Sequence, residues 1–423
     1  MSHLMFIDAS RFNVDALARA VAKGHQVTFV ETDAFRSRYS HPSMQEALAL
    51  ATHRLVVKGS IDDDGAQDAV AAFHAASPVD GLLTTIDANT TGTARLAHRL
   101  GVRATSLEGV TVAKNKAATR EALARAGLAN CKHATAIGAD GIRCAAASLS
   151  FPMVAKPVQG YGKLLTRTLH DASELEAFVH QYETLRGDLA AVDRDHVSEE
   201  MILEEFLDGA MYSVEIGVDE HGVYPFMVTQ RRRPEYNLLL ELGSSMPAAV
   251  PEDLGAAISD YAQQVVAVLG LDIGIFHLEV IATARGPVLI EANARLMGGA
   301  LPMLYGRATD DSIFDHLVDI HAGQPVRWSP RSAPRVATAR QIAPVSGGRA
   351  LQDVGAAFLR EHCPWIAAGS VDVRRGQEIR PMTCNFDSLG YFHVVAESHE
   401  DSIQLAERGL ACLEEAIGVV LAR

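Results

Sequence analysis

Along the first hundred or so residues, short apolar runs alternate with segments whose apolar positions recur three and four residues apart. "LMFIDA" and "QVTFVETD" read as buried strands and "VDALARAVAKGH" between them as a helix; "VDGLLTTID" and "ANTTGTARLAHRLG" repeat the alternation. This βαβ rhythm predicts a parallel sheet with helices on both faces, with ligand sites beyond the C-terminal strand ends. No G-x-G-x-x-G follows the first strand, so a dinucleotide site has little support.

The style changes at "SLEGVTVAKNKAATREALARAGL", a basic helix start followed by the strand-like "FPMVAKPV", "MILEEFL", "YSVEIGV" and "YPFMVTQ". A helix, "PEDLGAAISDYAQQVVAVLGL", then leads into two strands, "IFHLEVIA" and "PVLIEAN". After about residue 325, "PRVATARQIAPVSGG", "GSVDVRRGQEI" and "GYFHVVAES" read as sheet, closed by the helix "DSIQLAERGLACLEEAIGVVLAR". The fold class expected is α/β and α+β in several domains, without internal repeat, coiled coil or long disordered linker.

The 423 residues, 48% hydrophobic, suffice for two or three sizeable cores. A formal net charge of -14 argues against broad attraction to nucleic acid or anionic membrane, while leaving room for a local basic pocket. No apolar run approaches the roughly 20 residues that span a bilayer. The stretch "MSHLMFIDASRFN" lacks a basic segment with an apolar signal core, so the cytoplasm is expected. Cys131, Cys144, Cys363, Cys384 and Cys412 are scattered without C-x-x-C spacing and read as reduced thiols.

Two acids stand inside otherwise apolar strands. If "IFHLEVIA" and "PVLIEAN" form a hairpin centred near Arg285, Glu279 lies opposite Glu291 and His277 opposite Asn293, all on one face. Carboxylates about 4 Å apart repel by roughly 4 kcal/mol at an effective dielectric of about 20. A shared proton would relieve this; a divalent metal explains it better, because two carboxylates and an amide supply the hard oxygens that suit Mg²⁺ bound together with nucleotide phosphates. A solvated face with incidental acids is the plainer alternative.

"FPMVAKPVQGYGK" adds Lys156 at a strand end, then Gly160, Tyr161, Gly162 and Lys163. Glycines let backbone N–H groups approach phosphate oxygens and lysines neutralise charge, so the loop suits a phosphate cover. It is not a Walker loop: Pro157 stands where the first glycine is needed, and Leu164 follows Lys163.

Taken in order, Lys116, Lys156 with its glycine loop, "ILEEFLDGAMYSVEI", "FHLEV" and "LIEANARLMGG" resemble the ATP-grasp superfamily, and within it the carboxylate–amine ligases that include the L-amino acid (dipeptide) ligases. The resemblance implies a Rossmann-like N-terminal domain over residues 1–111, an ATP-grasp domain of two α+β subdomains over 112–324 with a nucleotide lid at about 130–207, and a small C-terminal lobe over 325–423 that completes the fold. It implies ATP and Mg²⁺ as cofactors, with Mn²⁺ as a substitute and two metal ions. Lys116 and Lys156 match the family's nucleotide-binding lysines. Glu204, Glu205, Phe206 and Leu207 match the hinge that reads adenine through main-chain groups and an acidic side chain. Glu279, Glu291 and Asn293 match the metal ligands, and Arg295 the arginine beside the transferring phosphoryl group.

"TQRRRPEYNLLLELGSSMPA" resembles the ligases' stretch with a cation at Arg231 and an "E-x-G-H-S-x-P" run, in which Glu241 is kept and Ser244 replaces the histidine. Met211 stands where relatives often carry an acid for ribose. The activity implied is amide formation between small carboxylate and amine substrates, amino acids or near relatives, through an acyl phosphate, with Arg295, Arg231 and Glu241 at the reacting groups. Dimers are frequent in the family, although no residue here argues for a homodimer. The competing readings are a carboxylase or nucleotide-pathway ligase of the same superfamily, and a nucleotide-binding regulator that has lost catalysis.

Overall fold

The computed structural model describes residues 1–160, 163–188, 197–329 and 333–423. Four parallel strands, His3–Ile7 (β1), Gln26–Thr32 (β2), His53–Val57 (β3) and Gly81–Leu83 (β4), form the N-terminal sheet in the order β3-β2-β1-β4. Every residue of β1 is buried, as expected of a parallel strand covered on both faces by helices. The helix Thr90–Leu100 that follows β4 stops at Gly101, whose left-handed φ of 67° caps it.

The second unit is a four-stranded antiparallel sheet of His133–Ala136 (β5), Met153–Pro157 (β6), Arg167–Leu169 (β7) and Met201–Glu205 (β8), ordered β5-β8-β6-β7. The helices Gly138–Ala146 and Ala172–Gly187 cover one face, burying Ile142, Phe178 and Tyr182 against Met153, Ala155 and Leu203. That leaves the alternate residues of β6 and β8, among them Lys156 and Glu204, for the opposite face.

An eight-stranded sheet fills the rest. Ala210–Asp219 (β9), Gly222–Arg232 (β10), Gly243–Met246 (β11), Gly274–Thr283 (β12) and Gly286–Asn293 (β13) are joined by Val336–Gln341 (β14), Ala368–Val371 (β16) and Gly390–Ala396 (β18) in the order β13-β12-β9-β10-β11-β14-β18-β16. Gly348–Arg349 (β15) and Glu378–Ile379 (β17) form a separate ribbon. The residues beyond 325 thus extend the central sheet, because β14 hydrogen-bonds to β11. Gly243 makes this join possible: its φ is 155°, and a Cβ there would lie 2.1 Å from the Ala339 carbonyl oxygen.

One apolar core runs from the N-terminal sheet into the central one, joining Leu4, Phe6 and Leu17 to Phe226, Ile275, Leu317 and Ile320. The helix Ile313–His321 is the shared element, and Lys23 pairs with its Asp319 at 2.9 Å. Among the described residues no helix is long and apolar enough to cross a membrane.

Candidate active site

A cavity of about 680 Å³ lies between the four-stranded and eight-stranded sheets. Lys116, Lys156, Gly160, Lys163, Glu204, Glu205, Phe206, Leu207, Arg231, Glu241, Glu279, Glu291, Asn293 and Arg295 all line it. Tyr161 and Gly162 fall outside the described residues.

The hairpin of β12 and β13 pairs Glu279 with Glu291 and His277 with Asn293. The simple hairpin centred on Arg285 needs one correction. Thr283 pairs with Gly286 and Val280 with Leu289, so the turn is tighter, and an irregularity next to Glu279 leaves Ile290 unopposed and restores the acidic register. The bulge is used: the Ile290 carbonyl accepts from Arg120 Nη2 at 2.9 Å and faces Lys156 Nζ at 3.5 Å.

Two cations offset the repulsion of the paired acids. Lys116 Nζ lies 2.9 Å from Glu291, and His277 Nε2 lies 3.5 Å from Glu279. Burial disfavours the charged imidazole, but Glu215, bonded to His277 Nδ1, and Glu279 outweigh it and push His277 up to about 9. Burial likewise opposes ionisation of Glu279, yet His277, Arg231 and Lys163 hold it well below the usual carboxylate range. Glu215, wholly buried, also accepts from the Met297 amide at 3.2 Å.

Among the described residues no three His, Cys, Asp or Glu side chains converge into a closed metal site. The hairpin offers two carboxylates and the Asn293 amide, an oxygen set that suits a hard cation taking its other ligands from phosphate and water. Asn293 Oδ1 accepts from Arg295 Nη2 at 3.2 Å, and the intervening Ala294 turns into the core. Arg295 Nε in turn lies 3.2 Å from Asp87 of the N-terminal domain. Burial works against the Asp87 charge, but Lys114 and Arg295 hold its carboxyl below the ordinary range.

The hinge differs from the reading of its acid. The Glu204 carboxylate is taken up by Arg120 Nε and Lys156 Nζ, each at 2.7 Å, so it acts as a buried strut and is not free to read a base. Arg120 also donates to the Leu289 carbonyl at 2.7 Å, tying the helix Lys116–Arg125 to β8 and β13. The Glu205 carboxylate pairs with Arg285, and the amides of Glu205 and Phe206 donate to Lys132 and Pro152 carbonyls. Among the described residues the Leu207 amide has no backbone partner, which makes it the hinge's open donor.

Arg231 and Lys163 converge on Glu241, the lysine at 3.0 Å. Burial opposes ionisation of Glu241, but Arg231 and Lys163 prevail and lower its pKa. A carboxylate neutralised by two cations is a weak proton acceptor, so Glu241 is better placed to orient charges than to take a proton from an amine. Ser244 lies directly opposite Arg231, and Met211 is buried at the cavity wall.

The sequence reading missed Arg120, Asp87 and Glu215. Arg120 had a usable signal: it stands four residues after Lys116 in a helix and shares its face. Asp87 follows the last strand of the parallel sheet, the end where such sheets place ligand groups. Glu215 is an acid inside a strand with no local partner, and β9 brings it opposite His277.

Comparison with known proteins agrees with this arrangement. The model for the ATP-grasp domain matches residues 149–302 and that for the ATP-grasp N-terminal domain residues 17–102. The chain is 29% identical over 313 residues to the uncharacterized protein y4rH of Sinorhizobium fredii, covering 73% of this chain and 62% of that one. It is 31% identical over 195 residues to dapdiamide A synthase of Enterobacter agglomerans, covering 45% and 44%. The chain therefore spans less than two thirds of either relative. Its fold matches the crystal structure of the L-amino acid ligase from Bacillus licheniformis with a TM-score of 0.82 at 20% identity, over 100% of this chain and 99% of that one. Two matching domain models and a shared architecture lead to one conclusion: the chain belongs to the ATP-grasp superfamily.

Proposed function

We propose that this protein is an ATP-dependent carboxylate–amine ligase that joins two small molecules, at least one an amino acid or a close relative, through an amide bond. The observation that carries the reading is the convergence, in one cavity, of three lysines, the Glu279–Glu291–Asn293 set and Arg295. The similarity to dapdiamide A synthase supports the amide-forming branch.

In this reading a substrate carboxylate oxygen bonds to the γ-phosphorus of ATP as the bridging P–O bond breaks, giving an acyl phosphate and ADP. The nitrogen of a neutral amine then bonds to the acyl carbon, phosphate leaves with the C–O electron pair, and the nitrogen gives up one proton. Phosphoryl transfer of this kind asks the protein chiefly for position and charge stabilisation. Lys116, Lys156 and Lys163 balance phosphate charge, and Arg295 faces the charge that develops on the transferred group. Mg²⁺ held by Glu279, Glu291 and Asn293 would supply Lewis-acid stabilisation of phosphate oxygens, and Mn²⁺ would serve the same oxygen set. The weak basicity of Glu241 favours departing phosphate or water as the proton acceptor.

The test is a matrix of amino-acid pairs scored for ADP, phosphate and product mass, with bicarbonate as an alternative carboxylate and purine precursors as alternative amines. ADP and an amide product only when carboxylate and amine are both present is the expected result. Turnover with bicarbonate, or ADP release that ignores both substrates, would remove the reading.

A further inference from the structure

Two cysteines that stand 49 residues apart in the chain meet beneath the helix His399–Ile417, and neither lines the cavity. Cys363 Sγ donates to Cys412 Sγ at 3.1 Å, and both are free thiols. The sulfurs of a disulfide lie about 2.05 Å apart, so joining these two asks for about 1 Å of approach.

The surrounding structure holds the pair in place. Cys363 follows the helix Ala356–His362; its amide donates to the Leu359 carbonyl at 3.0 Å, and its carbonyl accepts from the Ile366 amide at 2.9 Å. Trp365 docks the same segment on the helix His399–Ile417. Its Nε1 donates to the Leu405 carbonyl at 3.2 Å, and the Arg408 guanidinium stands 3.7 Å over its ring. Cys412 lies roughly two turns beyond Leu405 in that helix, which returns it to the side where the segment is docked.

The two sulfurs differ in access. Cys363 is wholly buried, whereas Cys412 is half-buried, and its Sγ also faces the His362 carbonyl at 4.0 Å. Burial, and after it the neighbouring sulfur, pushes the Cys363 thiol up to about 12, with Arg408 opposing in part. Thiol oxidation follows exposure and thiolate character, so a small oxidant meets Cys412 first and finds Cys363 directly behind it.

We infer that Cys412 and Cys363 form an oxidation site for hydroperoxides, at which attack on Cys412 is followed by closure of a reversible Cys363–Cys412 disulfide. The inference is independent of the ligase reading. With hydrogen peroxide, the Cys412 sulfur bonds to one oxygen as the O–O bond breaks; the other oxygen takes the thiol proton and leaves as water, giving a sulfenic acid. The Cys363 sulfur then bonds to the Cys412 sulfur, the S–O bond breaks, and the hydroxyl leaves with the Cys363 proton as a second water. Two electrons pass from the thiol pair to one peroxide, and a dithiol reductant returns them by exchange. The bond closes a loop that contains β16, β17 and β18, a long loop of the kind whose closure most restricts the unfolded chain.

The experiment treats the folded full chain with equimolar hydrogen peroxide, alkylates it and digests it without reductant. Cys144→Ser is the background, because Cys144 is exposed and would link one molecule to another. A cross-linked peptide pair holding Cys363 and Cys412 is expected, with two fewer titratable thiols and a melting temperature higher by about 5 °C or more. Dithiothreitol should reverse all three. Cys363→Ala should leave Cys412 as a sulfenic acid captured by dimedone, and Cys412→Ser should leave Cys363 unmodified at the same dose. The cross-link and Cys412→Ser decide the matter if Cys363→Ala does not fold. Oxidation of Cys412 to a sulfinic acid with Cys363 still free would overturn the inference. So would consumption of peroxide at Cys131 or Cys384 while the pair stays reduced, or a Cys363–Cys412 link that forms only in urea.

Discussion

Asp87 and Arg295 meet 3.2 Å apart across the boundary between the N-terminal domain and the carboxylate hairpin. Asp87 also holds Lys114, so one half-buried carboxylate fixes two cations, of which Arg295 lines the cavity. The orientation of Arg295 is therefore set in part by a domain that contributes none of the three hairpin oxygens.

Replacing Asp87 with Asn should release Arg295. Circular dichroism is expected to show an intact fold, while kcat falls about tenfold or more and the KM for ATP changes little, because in the proposed reaction the lost interaction positions a group that acts on developing charge. A rise in KM for ATP with kcat unchanged would mean that Asp87 serves nucleotide binding instead.

Glu291→Gln tests the oxygen set. The variant keeps shape and hydrogen bonding to Lys116 but loses the negative charge, so it should fold and lose substrate-dependent ADP formation by about a thousandfold. Normal turnover in that variant would sink the assignment of Glu279, Glu291 and Asn293 as metal ligands.

Arg120→Met tests the strut. It leaves Glu204 buried with a single cation, removes the side-chain donor of the Leu289 carbonyl and leaves the Ile290 carbonyl with Lys156 alone, a loss expected to cost about 3–5 kcal/mol. Urea unfolding measures it directly. Adding Glu204→Gln should recover part of the loss, and a coupling energy below about 0.5 kcal/mol between the two changes would show that the pair does not act as a unit.

Acid stability follows from two buried histidines. His321 and His393 are pushed down to about 4 by burial and secondarily by nearby arginines, Arg103 and Arg307 respectively, although the hydrogen bond that His321 Nδ1 donates to the Leu317 carbonyl partly opposes the shift at His321. Each is neutral in the folded chain and takes up a proton on unfolding below its unfolded value of 6.5. Their contribution is complete above pH 6.5 and lost as pH falls toward 4, with a slope of about 1.4 kcal/mol per pH unit for each proton. Urea midpoints between pH 7 and 4 should fall along this course and flatten in His321→Leu; a pH-independent midpoint would contradict it.

The hairpin shows how far one-dimensional information reaches. The facing of Glu279 and Glu291 is legible because side chains alternate with period two and the turn lies a few residues away. The bulge at Ile290 is not legible: it depends on Arg120 and Lys156, which arrive from a helix and a strand far off in the chain. The order of the motifs likewise pointed to the ATP-grasp fold, because each motif is a short segment with its own local pattern.

Pairings among buried charges lay beyond the sequence for one physical reason. A buried charge needs an opposite charge or a donor, and nothing in the local chain says which distant residue provides it. Glu204 in isolation looks like an open hinge acid, and only the packing of β8 against the helix Lys116–Arg125 turns it into a strut. His277 looks like an ordinary strand histidine until β9 places Glu215 beside it. The sequence by itself determined the elements, their faces and the residue types brought to the cavity. The tertiary structure decided which of those charges neutralise one another, because that depends on which distant elements are packed together.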